Sequence, residues 1–358
     1  MQNQTFECTL TAAADCYRLG EPIMVKFEIR NVGSETCRIL TWNTPLDGDP
    51  LDFLTVTQDD VELEYDGRLV MRGDPAEDDY ITLEPGASRS ADVDISRLYP
   101  IDLPGEYAAT LTTSLADAYT VTEEPEPNVQ SRSEYRSHPL DETKVMFVVE
   151  PGGAPKATAG QLARLAELER AGGLAVRTGS FPMIPVIIGG TKQQRTDTLT
   201  AHWGVIERAT NAYFALTSTS IGANPIYREW FGKDGKLVPW GGENRSSVVK
   251  NTYDLLRHLP DATFPFPTYD LTANSSKYNA YTHKNSWTIF CCQGYRDAAL
   301  FGKHSSKRSI LTHEWTHARG GTGDYDTYGV AAAHALAISQ PGQAVFCAEN
   351  YEYFSESI

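Results

Sequence analysis

The sequence predicts two domains, an all-β, immunoglobulin-like sandwich in the first half and a mainly helical α+β domain in the second. Three observations carry this. Residues 1 to about 120 break into short alternating segments between turn signals, residues beyond 151 show repeated helical periods, and the acidity is confined to the first half. At 358 residues with 41% hydrophobic and 22% charged, the chain is long and apolar enough for two packed cores and is not mainly disordered.

The strands come first. Met24-Val25-Lys26-Phe27-Glu28-Ile29-Arg30 and Leu54-Thr55-Val56-Thr57 alternate apolar and polar, as half-buried strands do. Turn signals separate such runs at Leu19–Pro22, Asn31–Gly33, Asp47–Pro50, Asp66-Gly67, Glu84–Gly86 and Leu103–Gly105. Gly105-Glu106-Tyr107-Ala108-Ala109-Thr110-Leu111 reads as a late strand and Lys144 to Val149 as a last one, after a polar, Glu- and Pro-rich stretch from 121 to 142.

Pro151-Gly152-Gly153-Ala154-Pro155 is the clearest linker signal. Leu162, Leu165 and Leu168 then recur at helical spacing within Ala157 to Ala171. A second break follows at Gly189-Gly190. Helices are expected from Asp197 to about Leu216, over Lys250–Leu259, around 309–319 and around 329–340, with a strand at Ser286–Phe290.

The first 150 residues hold 11 Lys+Arg against 30 Asp+Glu, and the remainder 20 against 17. This distribution disfavours nucleic acid or an anionic membrane as partner, and no apolar run is long enough to span a bilayer. Met1 to Gly20 lacks the basic start and apolar run of a secretory signal. Six cysteines without a Cys-x-x-Cys pair disfavour a thiolate zinc site and leave room for one or two disulfides.

The chemistry concentrates in Leu311-Thr312-His313-Glu314-Trp315-Thr316-His317. Histidines four apart project from one helix face, so both imidazoles of His313 and His317 reach one metal ion. Glu314 lies beside them, placed to take a proton from water and return it to a leaving amine. This His-Glu-x-x-His arrangement is that of zinc metalloproteases. A third ligand is needed. Position 323 is Gly where one class would place His, and no Glu follows between Arg319 and Ala348. Gly320-Gly321 stop the helix and let the chain turn back. Asp324 is then the natural oxygen ligand, with Asp326 its rival and His334 a weaker candidate.

His-Glu-x-x-His followed by Gly321-Thr322-Gly323-Asp324 and Tyr328-Gly329 resembles the aspzincins, the deuterolysin-like zinc endopeptidases. The resemblance implies a zincin-like catalytic domain. It implies Zn2+ held by His313, His317 and Asp324, Glu314 as general base, and Tyr328 stabilising the oxyanion. The interval from Asp324 to Tyr328 is one residue longer than the family's, which leaves Tyr325 as a substitute. The tail Ala348-Glu349-Asn350-Tyr351-Glu352-Tyr353-Phe354-Ser355-Glu356 is similar to that of the peptidyl-Lys metalloendopeptidase branch. Its two acidic pocket positions fall on Glu349 and Glu352, and two carboxylates suit a long ammonium side chain. Tyr227-Arg228-Glu229-Trp230-Phe231-Gly232 resembles a family Trp-Phe-Gly segment, and Phe290-Cys291-Cys292 the family strand ending in Cys, whose usual upstream disulfide partner is lacking here. The Trp42–Leu46 and Asp66–Val70 stretches are similar to the N-terminal region of bacterial aspzincin precursors.

On this reading, residues 1–150 form a β-sandwich prodomain, 151–191 a linker with a helix and an activation site, and 192–358 the catalytic domain. The partners expected are protein or peptide substrates and the chain's own prodomain, with no nucleic acid and no membrane. An enzyme cutting before lysine is expected to release itself between Thr191 and Lys192. The resemblance also implies export. The competing reading is a non-catalytic surface or interaction protein with a β-sandwich binding module and a structural metal site. Three ligands with a place left for solvent, and an intact Glu314, favour the enzyme.

Overall fold

The computed structural model describes residues 5–49, 51–121, 138–172, 184–217, 221, 224–238, 241–261, 266–325 and 327–358. The chain forms two compact units. One comprises Met1–Gly67 and Asp74–Leu162, the other Arg68–Gly73 and Ala163–Ile358.

Among the described residues, the first unit is built of strands joined by turns and short 3-10 segments, with α-helix at its end. Phe6–Ala12 pairs antiparallel with Met24–Asn31, which pairs with Ser88–Asp94. A five-stranded sheet runs in the order Cys16–Arg18, Lys144–Glu150, Gly105–Leu111, Leu54–Gln58, Val61–Glu62. The alternation seen in the sequence becomes alternation of burial. Val25, Phe27 and Ile29 point into the core and Lys26 points to solvent. Tyr107 and Phe147 stack face to face between neighbouring strands, with ring centroids 5.6 Å apart.

The second unit has a five-stranded sheet in the order Val186–Ile188, Thr268–Asp270, Thr288–Cys291, Tyr278–Thr282, Leu69–Arg72. The first three are mutually parallel and the last two pairings are antiparallel. The helices Lys192–Ala215, Arg245–Arg257, Lys307–Gly320 and Ala348–Ser357 pack around its core, joined by Tyr227, Trp230 and Phe231 of helix Pro225–Phe231 and Ala333 of helix Gly329–Ser339. Helix 192–215 opens on a capping box in which Thr191 and Gln194 exchange side-chain and backbone bonds. Its buried stripe of Ala201, Val205, Ala209 and Ala212 lets neighbours approach closely. Helix 245–257 contributes Val249, Tyr253 and Leu256, and helix 307–320 contributes Ile310, Leu311, Trp315 and Ala318.

The expected helix near 309–319 starts two residues earlier, because the Ser306 hydroxyl caps it by accepting from Ser309 N–H. The tail beyond 340 adds two helices, Pro341–Ala344 and Ala348–Ser357. Its period was obscured because both faces are buried, from Ala348 through Ser355. The Trp-Phe-Gly segment ends helix Pro225–Phe231 at Gly232, whose φ is 69°. A Cβ there would sit 2.1 Å from the carbonyl oxygen of Ala337. All six cysteines are free thiols, so none of the one or two disulfides for which the sequence leaves room is formed, and the five buried ones act as small apolar packing groups.

Candidate metal centre

Helix 307–320 is buried along almost its whole length, and it carries His313 and His317 one turn apart. It ends at Gly320. Gly321 adopts a left-handed φ of 68° and returns its N–H to the carbonyl of Thr316. The chain then folds back across the helix end. Gly323 N–H donates to Phe346 C=O at 2.8 Å, and Ala348 N–H donates to Gly323 C=O at 3.0 Å. These bonds tie the turn to the start of the C-terminal helix and fix Asp324.

The three polar atoms then meet. His313 Nε2 and His317 Nε2 are 3.0 Å apart, and Asp324 Oδ1 is 3.2 Å from each. A tetrahedral zinc with ligands at about 2.0–2.2 Å sets its ligand atoms roughly 3.3 Å apart, so this triangle has the size zinc requires. Ring tautomers agree. His317 Nδ1 lies 2.9 Å from the carbonyl oxygen of Thr322, which only a protonated Nδ1 satisfies, leaving Nε2 as a lone-pair donor. His313 Nδ1 faces Glu352 Oε2 at 3.5 Å. Two lone pairs and a carboxylate oxygen converging on one point repel one another unless a cation lies between them.

Electrostatics point the same way. Burial disfavours a charged His313, yet Asp324 and Glu352 together carry its pKa well above the ordinary value. Burial likewise opposes ionised Asp324, but His317 and His313 hold its carboxyl well below the usual carboxylate range. The pocket therefore favours added positive charge. Beside it, burial pushes the Glu314 carboxyl up to about 8 against the pull of His313. Glu314 Oε1 accepts from the backbone N–H of Met71 at 3.1 Å. Oε2 has no hydrogen-bond partner among the described residues.

His313, Glu314, His317 and Asp324 are thus brought together. Glu349 and Glu352, one turn apart on the C-terminal helix, are buried, and each offers an oxygen within 4.8 Å of the other and of a His313 ring nitrogen. Tyr328 is buried at the start of helix Gly329–Ser339, whereas Tyr325 has a left-handed φ of 51° and is exposed. His334 is elsewhere, 3.3 Å from Glu229 and packed on Trp230. Asp326 lies outside the described residues. Thr191 and Lys192 are exposed at the N-terminus of helix 192–215. Two contributors were not read from the sequence. The carbonyl of Thr322 orients His317, for which a turn closing on the helix end was the available signal. The backbone of Met71 had no signal at all.

Comparison with known proteins points to one family. The family model described as lysine-specific metallo-endopeptidase, Aspzincin_M35, matches residues 216–356. An extracellular protease of Aeromonas hydrophila is 25% identical over 94% of this chain and 88% of its own length. A peptidyl-Lys metalloendopeptidase of Grifola frondosa is 25% identical over 92% of this chain and 86% of its own length. One of Pleurotus ostreatus is 31% identical over 34% of this chain and 73% of its own length. With a zinc-sized triangle of two histidines and an aspartate beside a buried glutamate, the chain belongs to the aspzincin family of zinc metalloendopeptidases.

Proposed function

We propose that this chain is the precursor of a secreted endopeptidase that cleaves on the amino side of lysine. The observation that carries the specificity is the pair Glu349 and Glu352, two buried carboxylates beside His313. Two acidic groups in a closed site draw in an ammonium at the end of a flexible chain and leave a neutral side chain with unpaired charge behind it.

His313, His317 and Asp324 would hold the zinc, which supplies polarisation of the scissile carbonyl and a lowered pKa for attacking water. Glu314 takes the proton of that water and hands it to the leaving nitrogen, for which its partnerless Oε2 is available. Tyr328 donates its hydroxyl to the carbonyl oxygen as negative charge develops there. Glu352, facing His313 Nδ1, also keeps that ring turned with Nε2 toward the metal.

Residues 1–150 are read as an immunoglobulin-like prodomain, with residues 151–191 as the linker and 192–358 as the catalytic domain. Self-release between Thr191 and Lys192 is favoured by their exposure. It would leave Val186–Ile188 held in the sheet by its pairing with Thr268–Asp270 alone. Secretion is inferred from the Aeromonas relative, an extracellular protease. No helix among the described residues is long and apolar enough to cross a membrane.

Mass spectrometry of fragments from a protein digest tests specificity and self-release together. New N-termini beginning with Lys, including Lys192 of the chain itself, are expected, and Glu314→Gln should release none. Fragments with no preference after the cut would end the lysine reading. A mature N-terminus far from 192 would end the self-release reading.

A further inference from the structure

The strand Leu69-Val70-Met71-Arg72 lies in sequence among the strands of the first unit, yet it belongs to the sheet of the second. The chain leaves the first unit after Gly67 and rejoins it at Asp74. Between those points it pairs antiparallel with Tyr278–Thr282, with Arg72 opposite Tyr278, Met71 opposite Ala280, Val70 opposite Tyr281 and Leu69 opposite Thr282. Without this strand, Tyr278–Thr282 would be the open edge of the sheet, where an extended peptide adds by main-chain hydrogen bonds.

The occupant is held at several points. The Arg68 guanidinium lies 4.9 Å from the centre of the Tyr281 ring, and that of Arg72 lies 5.0 Å from Tyr278. Asn279 Nδ2 donates to Arg72 C=O at 3.3 Å. The backbone N–H of Met71 points the other way, into the reaction centre, and donates to Glu314 Oε1 at 3.1 Å. An amide nitrogen bonded to the proposed proton acceptor stands where the leaving nitrogen of a substrate would receive its proton.

We propose that Arg68–Gly73 is an internal inhibitor strand that fills the peptide-binding edge of the catalytic sheet and engages Glu314 through Met71 N–H. This deepens the endopeptidase reading and rests on it. Two consequences follow from the chain itself. The strand contains no lysine, and Lys26 and Lys144 are the only lysines in residues 1–150, so an enzyme that cuts before lysine leaves its inhibitor whole. A strand tethered at both ends has an effective concentration on the order of millimolar, so even weak pairing keeps it seated. Cutting the linker removes that advantage, and four residues of pairing are then too few to hold it.

The test uses the full chain and a fluorescent decapeptide with the sequence of residues 66–75. Because Met71 N–H faces Glu314, alternation turns Val70 N–H toward Tyr281, and Val70→Pro removes that ladder donor. The decapeptide should bind the Val70→Pro chain at least tenfold more tightly than the unaltered chain, and Val70→Pro should raise hydrolysis of a lysine peptide at least tenfold. Equal binding to both chains would overturn the proposal. Binding to the variant with no hydrolysis by any form would keep the occupied edge and refute the endopeptidase.

Should Val70→Pro fail to fold, a lock replaces it. Leu69→Cys with Thr282→Cys joins residues that lie directly opposite. With a site-specific protease sequence placed between Pro151 and Pro155 and then cut, the oxidised form should stay at least tenfold below the reduced form in both binding and hydrolysis. Equal values would overturn the proposal.

Discussion

Glu352 Oε2 lies 3.5 Å from Nδ1 of His313, with both side chains buried, while Glu349 sits one helical turn back toward the same ring. On the proposed reading, Glu352 serves the metal ligand and the lysine pocket together, and Glu349 serves the pocket alone. Glu352→Gln should weaken zinc binding by about 10- to 100-fold, as loss of a carboxylate behind a ligating histidine does. Glu349→Gln should leave zinc affinity near that of the unaltered chain and lower the preference for lysine over norleucine by roughly 10-fold or more. Chelator competition and a peptide series varied only after the scissile bond check both. Equal effects of the two substitutions on zinc would contradict this division.

Zinc should stabilise the second unit. A ligand that binds only the folded state adds about 4 kcal/mol when its concentration is 1,000 times its Kd, which for a domain of this size raises Tm by roughly 10 °C. Differential scanning calorimetry with and without chelator should show that drop, and His317→Ala should abolish it. A chelator-independent Tm in the unaltered chain would count against the site.

A pH dependence comes from the far end of the same C-terminal helix. His304 Nδ1 lies 3.0 Å from Glu356 Oε2, and its pKa is raised chiefly by that bond, with help from Glu352 and Glu349 and against its partial burial. Burial pushes Glu356 up, but His304, Ser309 and Arg208 outweigh it and lower its pKa. A raised histidine pKa gives stability that is fully present below the ordinary value of 6.5 and is lost as pH rises through the higher folded value. The Tm advantage of the unaltered chain over His304→Gln should therefore be largest below pH 6.5 and shrink above it. An advantage that grows with pH would contradict the pairing.

Gly232 is held at φ 69°, with the Ala337 carbonyl where a Cβ would go. Gly232→Ala combines left-handed strain with a backbone clash and should cost about 1–3 kcal/mol. Urea denaturation measures it, and a neutral result would mean that the turn after Trp230-Phe231 relaxes easily.

How much was legible follows from range in sequence. His313, Glu314 and His317 were readable because a helix brings positions four apart together, and Asp324 because Gly320-Gly321 announce a reversal within one turn. Strand alternation made Met24–Asn31 plain, and Gly105–Leu111 was legible as a late strand behind the Leu103–Gly105 turn. The strands Val186–Ile188 and Thr268–Asp270 are three residues each, too short to show a period. The C-terminal helix hid its period by burying both faces. Least legible was the bond from Met71 to Glu314, which spans 243 positions and uses a backbone N–H that every non-proline residue possesses.

The most direct measurement is an anomalous difference map at the zinc edge from crystals grown with zinc. A single strong peak within about 2.0–2.2 Å of His313 Nε2, His317 Nε2 and Asp324 Oδ1 is expected. A peak bound by other side chains, or Asp324 turned away from both histidines, would contradict the catalytic metal centre.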